Sequence, residues 1–452
     1  MKHPTKQAYQ LMHDGAIALA GVEANGIRID TAYLDRTIEK VEGRIKELTE
    51  RLKQDKVFKT WRGVYGRKTN LGSRKQLGRI LFDELEHPCE KRTKPSKSFP
   101  NGQPSANASN LERLELPFVK RYLRVEKLKK LRSTYLMGVR REVVDGFLHP
   151  SFNLHLVRTF RSSSNSPNFK NIPIRDKQIG RLIRRAFIPR KGHVLVEVDY
   201  GAIEVRVAAC YHKDPTMLKY IEDGYDLHRD MAAECYACKP SQVSKDMRYC
   251  AKNMFVFPQF YGDYHVNCAR HLWEAIDRMK LESPDLGPIR DWFRRKDINS
   301  LSVFTDHIER VEGNFWGERF PVYTDWKKEW LEKYNRRGWL RMKTGFVVQG
   351  VMRKNEIINY PIQGSAFHCL LWSLIRLRLQ LRKHKMRSMV VGEIYDSMLL
   401  DVYKPELDVV MAMAKEIMVD KLREAWKWII TPLSVEAEVS ETNWHEKEEV
   451  EL

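Results

Sequence analysis

Alternating apolar and polar positions identify a strand at residues 193–199, where the sequence reads HVLVEVD. Val194, Val196 and Val198 alternate with residues that face the other way, and this spacing predicts a β-strand. A leucine stands between the first two valines, so we expect the strand to be buried on both faces. Asp199 ends the strand, and the segment after it is expected to turn into a helix.

A second pattern, MVVGEIYDSMLLDV at residues 389–402, predicts a strand, a tight turn and a returning strand. Asp396 lies at the turn, the same kind of strand-end position as that of Asp199. A carboxylate at the end of a rigid strand is well placed to hold a divalent metal ion, because the strand fixes its position. Asp is also common in turns for local hydrogen-bonding reasons, so a purely structural role for Asp396 stays open.

The N-terminal part of the chain shows helical periodicity. Residues 1–30 predict a short helix followed by a turn, and Asp30 is placed to cap the next helix. Residues 111–139 predict a mostly helical, basic segment with Pro117 in the first turn of its longer part. Apolar residues of the capped helix recur at alternating spacings of four and three, as in a coiled-coil seam, at Leu34, Ile38, Val41, Ile45, Leu48 and Leu52.

Four segments resemble, in order, the motifs of family A DNA polymerases, the bacterial DNA polymerase I family. The segments are RSSSNSPNFKNIP at residues 161–173, DYGAIEVRV at 199–207, NYPIQGSA at 359–366 and YDS at 395–397. Any one of these motifs alone is a weak signal, whereas all of them in the family's order are specific. The chain is therefore identified as a member of this family that resembles its polymerase region only.

The resemblance implies an α+β fold, the right-hand polymerase fold, with an antiparallel palm sheet, helical fingers and a helical-hairpin thumb. Residues 1–150 correspond to an N-terminal segment and the thumb, 151–215 to the first part of the palm, 216–340 to the fingers and 341–452 to the second part of the palm. Residues 270–315 align with nothing in the family. We expect them to decorate the surface, with contact to the template or a partner as the alternative.

The resemblance also implies the chemistry, which is DNA-templated addition of dNTPs to a primer 3′-hydroxyl. Asp199 and Asp396 would hold two magnesium ions, for which manganese is a substitute. Arg248 and Lys252 lie four apart, on one face of a predicted helix, where they would hold the triphosphate and offset charge on the leaving pyrophosphate. Lys252 is also expected to protonate the leaving group.

Further nucleotide contacts follow from the resemblance. His228 matches a residue near the incoming phosphates, Tyr261 one that stacks near the templating base, and Glu204 one that blocks a ribose 2′-hydroxyl. The family also has an aromatic ring beneath the sugar, but the helix that ends at Tyr261 carries one extra residue here. We favour Phe257 as this ring, with Phe255 as the rival, and a π-bulge would absorb the insertion.

The primer and template contacts come from the resemblance as well. Arg161 matches the residue that reaches into the minor groove at the primer end, where acceptors occupy similar places in every correct pair. Asn355 stands where the family often has an arginine, and Ser397 where it has a third carboxylate beside the metal pair. The other residues expected at the primer and template are Asn168, Arg206, Asn359 and Gln363.

Charge and composition agree with a nucleic-acid partner. Lys and Arg number 79 against 59 Asp and Glu, so the formal net charge is +20, an excess typical of proteins that bind polyanions. Gly21 and Gly26 have P-loop spacing, but Ile27 stands where Lys is needed, which excludes that type of ATPase. Seven scattered cysteines, no signal-peptide core and no bilayer-length apolar run predict a cytoplasmic protein without a membrane partner.

Two other function classes fit parts of the pattern. A single-subunit RNA polymerase shares the palm, but Glu204 argues against it because a ribonucleotide enzyme needs room at the 2′ position. A non-catalytic replication factor would have no need for both Asp199 and Asp396. The chain starts roughly where the family's polymerase region starts, so we expect no proofreading domain in it, and a separate exonuclease or other replication proteins as candidate partners. Its compactness and divergence point to a phage enzyme.

Overall fold

The computed structural model describes residues 3–89, 92–97, 99–174 and 176–452. The N-terminal helices are α1 (Lys6–Asn25), α2 (Thr31–Gln54), α3 (Lys56–Tyr65), α4 (Arg74–Gly78), α5 (Ala108–Glu112), α6 (Pro117–Lys130) and α7 (Met137–Glu142). The short strands of this part are β1 (Ile27–Arg28), β2 (Val143–Val144), β3 (Phe147–Leu148), β4 (Ser151–Asn153) and β5 (Ser163–Asn165).

Helices α2 and α6 pack against each other as a helical hairpin. Asp30 caps α2 by accepting a hydrogen bond of 2.8 Å from the N–H of Tyr33, and Pro117 is the first residue of α6. The predicted cap and first-turn proline are therefore confirmed. The predicted seam is confirmed as well, with its members buried or half-buried in the core: Leu34, Ile38, Val41, Ile45, Leu48 and Leu52.

Helix α1 is longer than the sequence suggested, because it continues for 20 residues to Asn25. Small residues form much of its buried face, including Ala8, Gly15 and Ala18, which weakens the apolar periodicity. A Cβ on Gly15 would come within 2.9 Å of the Leu371 side chain, so the small residues allow close packing. The expectation of a short helix was wrong for this reason.

After α8 (Lys177–Arg184), β6 (His193–Tyr200) and α9 (Ile203–His212), the chain enters a helical region. This region has a hydrophobic core of its own, formed by buried side chains between Ala209 and Tyr323. Its elements are α10 (Pro215–Glu222), α11 (Leu227–Cys235), α12 (Lys245–Ala251), α13 (Phe257–Phe260), α14 (His265–Arg278), β7 (Glu282–Ser283), β8 (Gly287–Pro288), α15 (Ile289–Arg294), α16 (Leu301–Asn314) and α17 (Pro321–Arg337).

Residues 270–315 contribute to this second core. The rings of Phe293 and Phe304 are fully buried, with centroids 5.2 Å apart. His307 donates a hydrogen bond of 3.0 Å to the carbonyl of Glu234, which ties α16 to α11. The expectation that this segment only decorates the surface is therefore wrong, since its apolar residues are spread over several short elements that show no long periodicity.

The C-terminal part completes a five-stranded antiparallel sheet in the order β11-β12-β6-β13-β14, in which β6 is the central strand. Its elements are β9 (Trp339–Arg341), β10 (Val347–Gln349), α18 (Lys354–Lys383), β11 (Met389–Ile394), β12 (Ser397–Tyr403), α19 (Leu407–Lys415), α20 (Leu422–Ala425), β13 (Val435–Ser440) and β14 (Glu448–Val450). Leu195 on one face of β6 is buried, and so are the three valines on the other face, as predicted for a strand covered on both faces. Neither α18 nor any other helix of the described residues is long and apolar enough to cross a membrane.

Candidate active site

Asp199 and Asp396 lie next to each other at one end of the central sheet. Asp199 is near the end of β6, and Asp396 is in the turn between β11 and β12. Asp199 pairs with Ser397 across the two strands, and the N–H of Tyr200 donates a hydrogen bond of 3.2 Å to the Asp396 carbonyl. Both carboxylates line a cleft of about 940 Å³. The structure thus brings together the two acids that the sequence singled out.

The electrostatics of this pair fit a bound cation. Burial is the main cause that raises the pKa of both carboxyls, to which the charge of Asp396 adds for Asp199 and the charge of Glu204 adds for Asp396. The Oδ1 atom of Asp199 is buried and has no hydrogen-bond partner among the described residues. Two neighbouring oxygen donors, one of them unsatisfied, suit a hard divalent cation, and Asp199 and Asp396 are the residues that would hold it.

Basic residues from the helical region line the same cleft. Arg248 on α12 and Lys252 one turn later both border it. The Nε atom of Arg248 donates a hydrogen bond of 2.6 Å to Asp226 at the start of α11, which fixes the guanidinium. The Lys252 ammonium lies 5.3 Å from the centroid of the Phe257 ring. An anion that enters the cleft therefore meets two cations.

His228, on the first turn of α11, also lines the cleft. Burial, followed by the charges of Lys252 and Arg248, lowers the pKa of His228 to about 4. Its Nδ1 atom is buried without a hydrogen-bond partner in the described part of the chain. The imidazole is neutral at neutral pH and keeps hydrogen-bonding capacity for a ligand.

A π-helical turn at Lys252–Val256 absorbs the extra residue in this helix. The N–H of Phe257 bonds the carbonyl of Lys252, five residues earlier. Phe257 lines the cleft, whereas Phe255 is fully buried and packs on Phe315 with ring centroids 5.6 Å apart. The predicted π-bulge is confirmed, and the geometry favours Phe257 over Phe255 as the ring that meets a ligand.

Glu204, in the first turn of α9, connects two other predicted site residues. The guanidinium of Arg161 donates to Glu204 Oε1, and the hydroxyl of Tyr261 donates to Oε2. Burial and the Glu204 charge raise the pKa of Tyr261, so its hydroxyl stays a donor. Arg161 Nε also donates a hydrogen bond of 3.1 Å to the Gln363 carbonyl on α18. These bonds fix the Glu204 carboxylate at the edge of the cleft.

Helix α18 holds the end of α13 in place. Asn359 Nδ2 donates a hydrogen bond of 3.2 Å to the Tyr261 carbonyl, and Asn355 Nδ2 donates one of 3.3 Å to the Gly262 carbonyl. Gly262 has a φ of 83°, and a Cβ there would come within 2.5 Å of Asn355 Oδ1. The position therefore requires glycine, and Asn355 fits closely against it.

Arg206 and Asn168 make no hydrogen bond to the other predicted site residues that the structure describes. Each side-chain nitrogen of Arg206 donates to protein, at 2.7 Å to the Gly201 carbonyl, 2.5 Å to the Pro432 carbonyl and 2.9 Å to Ser434 Oγ. Arg206 thus ties α9 to the segment before β13. Asn168 is exposed at the start of a 3₁₀ turn. Contact of either residue with a primer or template stays a prediction.

Sequence reasoning missed two features of the site. Lys170 and Glu393 form a buried ion pair at 3.0 Å between the 161–173 segment and the hairpin of Asp396. Glu436 on β13 lines the same cleft as the metal-site pair. Neither feature can be predicted from the neighbouring sequence. The ion pair joins residues that are far apart along the chain. The alternation around Glu436 indicates a strand but not its neighbour in the sheet.

The fold is that of a right-hand polymerase. It matches the solved POL domain of Pol1 from M. smegmatis, in complex with DNA primer-template and dNTP, with a TM-score of 0.76 and 24% identity. The match covers 96% of this chain and 70% of that chain. The sequence model of DNA polymerase family A matches residues 32–280, more than half of the 452 residues. The chain belongs to DNA polymerase family A, which implies dependence on a divalent metal ion.

Curated relatives agree with this assignment. The chain is 31% identical over 439 residues to the thermostable DNA polymerase I of Thermus thermophilus, a match that covers 94% of this chain and 46% of that protein. It is 28% identical over 436 residues to DNA polymerase I of Chloroflexus aurantiacus, with 95% of this chain and 42% of the relative covered. The chain therefore spans about half the length of the curated relatives it matches.

Proposed function

We propose that this chain is a DNA-templated DNA polymerase that adds dNTPs to a primer 3′-hydroxyl, with magnesium as its metal. The observation that carries the proposal is the cleft, where Asp199 and Asp396 share one space with Arg248 and Lys252. Acids that hold a metal together with cations for a leaving pyrophosphate suit nucleotidyl transfer. DNA polymerase I relatives, and a structural neighbour solved with primer-template and dNTP, support the same substrates here.

Each group of residues in the cleft has its own role in the proposed reaction. A divalent cation held by Asp199 and Asp396 would lower the pKa of the primer hydroxyl and stabilise the leaving pyrophosphate. Arg248 and Lys252 bind the triphosphate and offset its charge, and Lys252 protonates the leaving group. The neutral His228 hydrogen-bonds a phosphate oxygen.

Nucleotide and primer selection are assigned to the connected residues around Glu204. The Phe257 ring lies beneath the sugar, Tyr261 stacks near the templating base, and Glu204 blocks a 2′-hydroxyl. Its bonds to Arg161 and Tyr261 hold Glu204 in place before a nucleotide enters. Arg161 probes the minor groove at the primer end, and the further primer and template contacts are Asn168, Arg206, Asn359 and Gln363.

The proposed parts of the right hand are those expected from the sequence. Residues 1–150 supply an N-terminal segment and the thumb, 151–215 and 341–452 the palm, and 216–340 the fingers. The shared hydrophobic core supports the inclusion of residues 270–315 in the proposed fingers. Seven scattered cysteines support the cytoplasm as the compartment.

Primer extension tests the proposed function. The purified chain, a labelled primer on a DNA template, magnesium and dNTPs are expected to give extended products, whereas rNTPs give little product. A folded chain that binds primer-template but extends it with neither nucleotide would contradict the proposal. Extension with rNTPs in preference to dNTPs would favour the RNA polymerase alternative.

Replacement of Glu204 should weaken sugar selection. In Glu204→Ala, a ribose 2′-hydroxyl no longer meets the carboxylate, so the ratio of kcat/KM for dNTP over rNTP should fall by about 10- to 100-fold. The ratio is measured by single-nucleotide incorporation. Glu222→Ala, which removes an exposed carboxylate from α10, serves as the control and should leave the ratio unchanged. An unchanged ratio in Glu204→Ala would remove this residue from nucleotide selection.

Primer-template binding should depend steeply on salt. With a net charge of +20, phosphate contacts should dominate, and affinity should fall on the order of 10²-fold or more between about 50 and 200 mM salt. Fluorescence anisotropy of a labelled duplex measures the slope. Lys127→Gln together with Lys130→Gln, at two exposed positions of α6, should make it shallower by about one to two. Salt-independent affinity of the wild-type chain would contradict the phosphate contacts.

A further inference from the structure

A second cavity, of about 690 Å³, adjoins the active-site cleft. Phe257 and Tyr261 line both the cavity and the cleft, so the two spaces meet at α13. We call this cavity the outer groove. Its other lining residues are Tyr249, Asn253, Pro258, Gly262, Asp263, Tyr264 and Asn355. A strand that leaves the cleft past Tyr261 therefore enters the outer groove directly.

Two tyrosine rings of the outer groove are open to solvent. Tyr249 is 49% exposed and Tyr264 is 53% exposed. Neither hydroxyl makes a hydrogen bond within the part of the chain that the structure describes, so neither ring is held there by its polar end. Exposed aromatic rings beside a nucleic-acid site suit the stacking of unpaired bases, which works for every base because each has a π-face.

The walls of the outer groove are fixed by hydrogen bonds within the protein. Asn355 on α18 donates to the Gly262 carbonyl at 3.3 Å. The acid of the groove, Asp263, is also engaged, because its Oδ1 accepts from the Tyr264 N–H at 3.0 Å and from Asn267 Nδ2 at 2.7 Å. A site whose walls are already ordered loses less entropy when a ligand binds.

Cationic side chains lie at the α18 edge of the outer groove. Lys354 is the first residue of α18 and precedes the groove residue Asn355, and its side chain is exposed without an ion pair to any described residue. Burial, followed by the charge of Lys354, lowers the pKa of Lys327 on α17 to about 7, with the charge of Glu312 as a smaller opposing influence. Two ammonium groups near each other favour a phosphate backbone as the ligand.

We propose that the outer groove binds the unpaired template strand beyond the templating base, with Tyr264 and Tyr249 stacking on its bases and Lys354 contacting its phosphates. The inference rests on the proposed function, since it requires a primer-template in the cleft. Aromatic rings together with cations are the combination that binds single strands without sequence preference. The shared residues Phe257 and Tyr261 connect this strand to the templating position.

Affinity for primer-templates with different template overhangs tests the proposal. Wild type should bind a four-nucleotide 5′ overhang about 5- to 100-fold more tightly than a one-nucleotide overhang, as measured by fluorescence anisotropy. Tyr264→Ala should lose most of this gain and bind the one-nucleotide overhang as wild type does. Tyr264→Phe, which keeps the ring, should retain the gain, and so should the control Tyr9→Ala, at an exposed position of α1. An equal gain in Tyr264→Ala and wild type would overturn the proposal.

Abasic residues at every overhang position beyond the templating base separate stacking from other causes. In wild type they should remove the same gain that Tyr264→Ala removes, and in Tyr264→Ala they should have little further effect, because ring and base are partners in one contact. Losses that simply add would overturn the stacking. Weaker binding of Tyr264→Ala to the one-nucleotide overhang by the same factor would also overturn it, since the ring would then act on the duplex or on the fold.

The salt dependence of the same binding tests Lys354. Lys354→Gln should make the slope of log affinity against log salt shallower by about 0.7 with the four-nucleotide overhang and leave it unchanged with the one-nucleotide overhang. Equal slopes with the long overhang would remove Lys354 from the proposed site. A ring-dependent gain in a chain that extends no primer would support the outer groove and contradict only the polymerase function. Primer extension by a chain that gains nothing from the overhang would contradict the outer groove alone.

Discussion

Asp199→Asn and Asp396→Asn are each expected to reduce the rate of nucleotide incorporation by on the order of 10³-fold or more. Asparagine keeps the size of the side chain but removes the negative charge that is proposed to hold a divalent cation, and the chemistry of such a cation is worth several kcal/mol. Primer-template affinity should stay nearly unchanged, because the proposed phosphate contacts are made by other residues. Rapid-quench incorporation of one dNTP, with anisotropy for binding, measures both quantities.

Tyr395→Phe is the matched control for the hairpin, since it keeps the turn and loses only the hydroxyl that donates to Asn171 at 3.0 Å. It should incorporate nucleotides within a few-fold of wild type. Either Asp variant with near wild-type activity would contradict the assignment of the metal pair. Loss of activity together with loss of DNA binding would instead indicate a disturbed fold.

The metal-free Asp199→Asn variant should also be more stable than metal-free wild type at neutral pH. Burial and the Asp396 charge raise the pKa of Asp199, so the folded state binds the proton more tightly than the unfolded state. The free energy of unfolding of wild type therefore falls as pH rises above the ordinary carboxyl range, and the variant escapes that loss. Thermal midpoints in EDTA at about pH 5 and about pH 8 should show a difference that grows with pH. A difference in thermal midpoint that does not change with pH would contradict the repulsion between Asp199 and Asp396.

Removal of one charge of the buried Lys170–Glu393 ion pair is expected to lower the stability of the fold strongly. Both side chains are almost fully buried, at 4% and 1% exposure, with Lys170 Nζ 3.0 Å from both carboxylate oxygens. Glu393→Gln leaves the buried Lys170 ammonium without its counterion, which should lower the free energy of unfolding by about 3–5 kcal/mol. Urea titration followed by tryptophan fluorescence measures the loss.

The double variant Lys170→Gln with Glu393→Gln tests the cause of that loss. It has no buried charge, so it should be clearly more stable than Glu393→Gln alone. Glu424→Gln, which breaks the exposed pair of Lys421 and Glu424, should change stability by less than about 1 kcal/mol. A double variant less stable than the single one would show that the buried charges are not the source of the effect.

Periodicity predicted the parts of the fold that local physics decides. The strand of Val194, Val196 and Val198, the hairpin around Asp396 and the seam of α2 each follow from spacing alone. The extra residue before Tyr261 even predicted a π-turn, because a helix has few other ways to absorb an insertion. The full length of helix α1 was not predicted, because alanine and glycine make up much of its buried face.

The contacts between segments that are distant along the chain could not be predicted from the sequence. The bonds from Arg161 and Tyr261 to Glu204 join three motifs that were predicted separately, and nothing in their spacing indicates that they meet. The pairing of Glu436 with Asp199 depends on which strand lies beside β6, a choice that the tertiary fold makes. The core role of residues 270–315 depends in the same way on packing between short helices.

The most direct test of the account is single-nucleotide incorporation on primer-templates that differ only in the templating base. Each dNTP is supplied alone with magnesium, and the product is resolved by length. The account predicts that the wild-type chain adds the dNTP complementary to each template base and adds the others far more slowly. Addition that ignores the templating base, or binding without any addition, would contradict a template-directed polymerase in this cleft.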